Sequence, residues 1–108
     1  MSDTNVKMNL FSLGLTPRHK GFHYLSDAII ELRGDTDMKD ALERVCAKRN
    51  VNMTYFDNSM RYAINYAWDM TNGHIHELFP NYTSAPMPIE FIFMMKWKME
   101  AETVKPPR

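Results

Sequence analysis

Hydrophobic residues recur along most of this chain at steps of three and four, the spacing that gathers them on one side of an α-helix. Phe22, Leu25, Ile29 and Leu32 follow it, so 20–33 reads as an amphipathic helix with Gly34 as its stop signal. Met38, Ala41, Leu42, Val45 and Cys46 form the inward face of a helix over 37–48, with Asp35, Thr36 and Asp37 available as N-caps. Phe56, Met60, Ala63, Ile64, Ala67 and Trp68 define another over 54–69. Thr54 with Asp57 opens it as a variant capping box, and it stops near Asn72-Gly73. Upstream, Met8, Leu10, Phe11, Leu13 and Leu15 predict a short apolar helix closed by Gly14 and the Thr16-Pro17 break. Downstream, 74–79 reads as a short helix before Pro80, and a loop holding Pro80 and Pro86 leads to Pro88. Pro88 suits the first position of a last helix with Ile89, Ile92, Met95 and Met99 on one face. No strand pattern and no internal repeat interrupts this series. The fold class is all-α, a six-helix bundle.

The helices over 37–48 and 54–69 are joined by the short polar turn Arg49-Asn50-Val51-Asn52-Met53. That layout predicts a helix-turn-helix, in which the first helix braces the second and the second can enter a DNA major groove. The rest of the chain carries no phosphate loop, no cysteine cluster and no nucleophile motif. A catalytic role therefore has no supporting constellation, no cofactor is implied, and function is expected on the outer face of the 54–69 helix.

Length and charge narrow this further. The 108 residues make one domain, with a core over 10–99 and tails expected at 1–7 and 103–108. Thirteen basic and thirteen acidic residues give a formal charge of zero, which lends little sequence-independent affinity for nucleic acid unless the charges segregate by face. The single Cys46 excludes an internal disulfide and fits a reducing cytoplasm. No apolar run approaches the roughly 20 residues needed to span a membrane, and the polar start MSDTNVK is unlike a secretion signal. His74-x-His76-Glu77 and the pair His19 and His23 are the only histidine groupings. A metal site needs three or more converging ligands, and two histidines two apart on a helix point to different sides, so no metal is expected. The ten methionines read as adaptable core filling, with Met94, Met95 and Met99 near Trp97 as a soft patch.

Several segments, taken together in order, carry a family resemblance. They are Leu13-Gly14, Lys20-Gly21-Phe22-His23-Tyr24-Leu25, Asp27-Ala28-Ile29, Met60-Arg61-Tyr62-Ala63-Ile64 leading to Ala67-Trp68, Leu78-Phe79, and Pro88-Ile89-Glu90-Phe91-Ile92. In this order and spacing, from about Leu10 to Met99, the chain resembles the C-terminal DNA-binding effector domain of the stage-zero sporulation response regulator of spore-forming Firmicutes. The resemblance implies a six-helix bundle with a helix-turn-helix, of the winged-helix-like response-regulator effector class. It implies double-stranded DNA as partner, a head-to-tail pair of copies on tandem sites, and contact with RNA polymerase sigma factor near 74–79. In that family a phosphorylatable receiver domain precedes this one. Here only a short segment precedes the match, so a stand-alone or an excised effector domain without its own switch is expected.

The helix over 54–69 departs from the family pattern. Family members place several arginines on its outer face, where bidentate contact with guanine O6 and N7 is the commonest specific readout. Here Tyr55 and Asn58 stand at arginine positions, Asp57 stands for a glutamate, and Arg61 alone remains of the basic set. One arginine against Asp57 and Asp69 leaves 54–69 with a net charge of −1. The base-contact candidates are Tyr55, Asp57, Asn58, Arg61, Tyr62 and Asn65. Asn58 can pair with adenine and Asp57 can accept from cytosine N4, while Tyr55 can donate to a phosphate. The phosphate candidates are Lys20, Lys48, Arg49 and Thr54.

Each has an ordinary alternative. Arg61 can simply pair with Asp57 one turn back. Lys48 and Arg49 can complement a helix dipole. Tyr55, Asn58, Tyr62 and Asn65 form a polar, aromatic surface that suits a protein interface equally well. Two readings follow: a sequence-specific DNA-binding transcriptional regulator, or a degenerate effector domain that has lost DNA readout and acts through protein–protein contact. A continuous basic strip from Lys20, Lys48, Arg49 and Arg61 favours the first; a neutralised face favours the second.

Overall fold

The computed structural model describes residues 3–32 and 36–103. Six helices follow one another: α1 (Asp3–Ser12), α2 (Lys20–Glu31), α3 (Met38–Arg49), α4 (Met53–Met70), the single-turn α5 (Ile75–Leu78) and α6 (Pro88–Thr103). No strand occurs among the described residues. The expected stop at Gly34, the cap at Asp35, Arg33 at the end of the predicted second helix and the tail beyond Thr103 lie outside the described residues.

Helix α2 is the hub and packs against α1, α3, α4 and α6. Its stripe of Phe22, Leu25, Ala28 and Ile29 meets Phe56, Met60, Ala63, Ile64 and Ala67 of α4, and Phe91, Ile92, Met95 and Met99 of α6 join the same core. The crossing of α2 on α4 is close enough to require glycine: a Cβ on Gly21 would sit 2.0 Å from the Ser59 carbonyl oxygen. Any side chain there would have to push the two backbones apart.

The turn between α3 and α4 is built locally. Asn50 takes the left-handed conformation (φ 56°, ψ 48°). Its N–H donates to the Ala47 carbonyl and the Val51 N–H to the Cys46 carbonyl at 3.1 Å, closing α3 as a Schellman motif. Asn tolerates this backbone where most residues do not. Val51 packs against the core, fixing the direction in which α4 leaves.

Several expectations shift. Helix α1 already begins at Asp3, so residues 3–7, expected above as a tail, are helical, with Val6 fully buried and Asp3, Thr4 and Asn5 exposed. Its inward residues are Val6 and Leu10, followed by Leu13 and Leu15 in the turn, while Met8 and Phe11 face outward. The apolar run there is too dense for the period to select a face. Helix α4 starts one residue earlier than Thr54. Its cap is Asn52, whose side-chain oxygen accepts from Tyr55 N–H at 2.8 Å, and Thr54 falls inside the first turn. Asp37 caps α3 without a side-chain hydrogen bond. In α6, Ile89 turns outward and Phe91 takes the inner place, because apolar residues surround this helix and its pattern fits more than one face. Trp68 lies at the edge of the core, half-buried.

Three substitutions check this packing. Gly21→Ala is expected to lower stability by about 1–3 kcal/mol or more, as overpacking does. Phe56→Ala should cost about 3–5 kcal/mol and Trp68→Ala clearly less, since the tryptophan is only half enclosed. Urea unfolding of the three variants reads both: an unchanged midpoint for Gly21→Ala would show that α2 and α4 can separate freely.

Candidate nucleic-acid interface

Because α4 buries Phe56, Met60, Ala63, Ile64 and Ala67, its opposite face is left bare. Thr54, Tyr55, Asn58, Tyr62 and Asn65 are exposed along it, with Tyr62 at 60% exposure. The N-terminal end of α2 lies alongside. Between the two helices runs an open groove of about 390 Å³, lined chiefly by Arg18, His19, Lys20, Tyr55, Asn58 and Tyr62. Lys20 is the neighbour of Gly21, so the tight crossing itself delivers the lysine to α4. Its ammonium donates to the Tyr55 hydroxyl at 3.0 Å and stands 5.5 Å from the ring centre. That hydrogen bond holds the lysine above, and the phenol below, its ordinary pKa.

Arg61 donates from Nε to the Asp57 carboxylate at 2.6 Å, one turn back on the same helix. At the end of α3, Arg49 reaches across to Asp27 of α2 at 2.6 Å and lies near the Tyr24 ring. Lys48 and Arg44 both reach Glu31, at 3.3 and 3.4 Å. The Lys48 hydrogen bond is the main reason the Glu31 carboxyl sits below its usual range. A second cleft, about 570 Å³, opens between these groups and is lined by Asp3, Asp27, Glu31, Lys48 and Arg49 among others.

The structure thus gathers Lys20, Tyr55, Asn58 and Tyr62 around one groove and sets Arg61 and Asp57 beside it as a pair. It turns Lys48 and Arg49 toward α2, away from an unpartnered strip. The expected strip of free cations does not form: Lys48, Arg49 and Arg61 each face a carboxylate, and Lys20 a phenol. Asp57, offered above as an acceptor for cytosine, is occupied by Arg61.

Sequence reasoning gave no role at this interface to Arg18, His19, Asp27, Glu31 and Arg44. A signal existed for the last three: Asp27 and Glu31 are four apart on one helix, and Arg44 and Lys48 four apart on the next, a matched ladder. The ladder becomes visible only once α2 and α3 are known to be neighbours. His19 packs edge-on against Tyr62 and Tyr66, with ring centres 4.9 and 4.8 Å away. Its Nδ1 is buried without a hydrogen-bond partner among the described residues. Burial first, and the charge of Arg18 second, hold its pKa below the ordinary histidine value.

The other histidines are taken up locally. His74 pairs with Glu77. His76 stacks on Trp68 with ring centres 3.9 Å apart and contacts the Trp68 carbonyl at 2.9 Å. His23 contacts the Pro17 carbonyl at 2.8 Å. Among the described residues no group of three or more His, Cys, Asp or Glu side chains is arranged to hold a metal ion, and no helix is long and apolar enough to cross a membrane. No protein-family model matches this chain, and no curated protein matches it.

The state of His19 gives a pH prediction. Unfolded, this histidine takes up a proton more readily than in the fold. Its contribution is therefore intact above the ordinary histidine pKa and is lost as the pH falls through the lower folded value. Acidification from neutrality should lower the urea midpoint, and His19→Gln should flatten that decline. Equal slopes in the two proteins would assign the decline to other groups.

Proposed function

We propose that this domain reads duplex DNA with the outer face of α4, as a transcriptional regulator of the sporulation-effector type its sequence resembles. The observation that carries the reading is the succession of α3, the left-handed turn at Asn50, and an 18-residue α4 with one buried and one bare face. In a helix-turn-helix the first helix braces and the second lies in the major groove, which is about 12 Å wide and admits one α-helix. Tyr55, Asn58, Tyr62 and Asn65 would then face base edges, with Arg61 at the margin. Lys20 and Thr54 would meet the sugar–phosphate backbone.

Lys48 and Arg49 join them by exchanging the carboxylates of Glu31 and Asp27 for phosphates. Such an exchange is feasible because an exposed ion pair contributes only about 0–1 kcal/mol. The same carboxylates repel the backbone as it approaches, so non-specific affinity is low. A head-to-tail pair on tandem sites and a sigma-factor contact near α5 follow from the resemblance alone.

A second reading has its own observation. Ile89, Phe93 and Trp97 recur every four residues along α6 and are 52, 62 and 65% exposed. An apolar stripe of that kind marks contact surfaces, and it supports a domain that works by binding another protein.

Binding measured across a salt series, using a random-sequence duplex library followed by selection of retained sequences, separates the two. On the DNA reading, a motif emerges and Arg61→Ala costs about 1–3 kcal/mol on it. Lys48→Ala weakens all sequences alike and lowers the salt slope by about one unit. Asp27→Asn with Glu31→Gln tightens binding to every sequence, because it removes the competing carboxylates. Absence of salt-dependent binding at low ionic strength would reject DNA as the partner and leave the α6 stripe as the surface to pursue.

A further inference from the structure

The chemistry of the α4 face also constrains which bases it reads, an inference that rests on the DNA reading above. Asn58 and Asn65 are both exposed on this face, and neither amide has a hydrogen-bond partner among the described residues. They are seven positions apart, close to two helical turns, so they point the same way about 10.5 Å apart along the axis. The charged groups Arg61 and Lys20 at this face are already engaged. Arg61 spends its Nε edge on Asp57 at 2.6 Å, which leaves it poorly placed to present that edge to guanine. Lys20 is held by Tyr55 at 3.0 Å. Among the uncharged groups that remain, the hydroxyls of Thr54 and Tyr62 and the two amides, only the amides combine one acceptor with two donors.

Of the four bases, adenine matches an amide: its N6 donates and its N7 accepts, and Asn pairs with both at once. Guanine presents two acceptors in the major groove, so an amide can satisfy it only in part. Tyr55 and Tyr62 flank Asn58 three and four residues away, and both are exposed, at 41 and 60%. Their rings suit apolar contact with thymine C5-methyl groups, which accompany every adenine in a duplex. We infer that this face selects two A·T pairs, read through adenine by Asn58 and Asn65 and spaced about three base pairs apart, from the 10.5 Å separation and a rise of about 3.4 Å per pair.

The test uses the full chain in a selection from random duplexes, followed by fluorescence anisotropy on the enriched site. The expected motif has adenines at two positions about three pairs apart. Asn58→Ala should erase roughly tenfold or more of the preference at one of them, and Asn65→Ala at the other. Affinity for unrelated sequences should stay unchanged, which a merely structural role for either residue would not give. Circular dichroism and the thermal midpoint of both variants should match the parent, since both positions are exposed. A motif centred on guanines, insensitive to both substitutions and lost in Arg61→Ala, would overturn the adenine assignment while keeping the DNA reading. A chain that enriches no motif and shows no salt-dependent binding would overturn both.

Discussion

The contact on which this structure depends is the crossing of α2 over α4 at Gly21 and Ser59. With no Cβ in the way, backbone meets backbone, and the two apolar stripes close on each other along most of both helices. Three consequences follow. The inner face of α4 is fully committed to the core, so its outer face is left without a neighbour. Lys20, adjacent to the glycine, is carried to the edge of that outer face. His19, one residue further, is wedged between Tyr62 and Tyr66. The groove and its charge are thus by-products of a packing solution. A wider crossing would separate Lys20 from Tyr55 before it disturbed the core of α3 or α6.

Charge around α2, α3 and α4 is arranged in local ion pairs rather than as a one-sign face. The cations at the end of α3 meet the anions of α2, and the one arginine of α4 meets its own aspartate. Each pair is partly exposed and so contributes little to stability. Their larger effect is on what can approach. A phosphate chain meets Lys48, Arg49 and Arg61 already paired, with carboxylates behind them, whereas a polar or aromatic surface meets no such penalty. Sequence-independent attraction is the main source of non-specific DNA affinity. On the proposed DNA reading, a domain with little of it would rely on direct readout by uncharged groups, a role open to the amides and phenols of α4.

Much of the fold was legible because long amphipathic helices announce themselves. The period through Phe22, Leu25 and Ile29 and that through Phe56, Met60, Ala63 and Ile64 each admit one buried face. Where the pattern failed, apolar residues were too many to choose among. In α1, Met8 and Phe11 compete with Val6 and Leu10; in α6, Ile89 competes with Phe91. Periodicity cannot rank two apolar faces, and the choice falls to the neighbours. The cap of α4 was misplaced by two residues because Thr54 and Asn52 are both good caps, and the left-handed turn at Asn50 decides between them. The α4 face was readable as a list of exposed residues. Its electrostatic state was not, since Asp27 and Glu31 act on Lys48 and Arg49 across a helix interface that no local pattern reveals.

The two exposed surfaces have different physical characters, and this bears on how the domain can act. The α4 face is polar and locally neutralised, which gives selectivity with little attraction. The α6 stripe of Ile89, Phe93 and Trp97 is apolar and exposed, which gives attraction with little selectivity. A weak reader gains most from being held near its target. Tethering raises the local concentration and can increase overall affinity by orders of magnitude without any new contact to the target. A protein seated on α6 would supply that tether while leaving α4 free to sort sequences. In that arrangement the proposed DNA reading and protein contact would be two halves of one act. On the proposed DNA reading, the attraction that the α4 face does not provide would then come from the other side of the bundle.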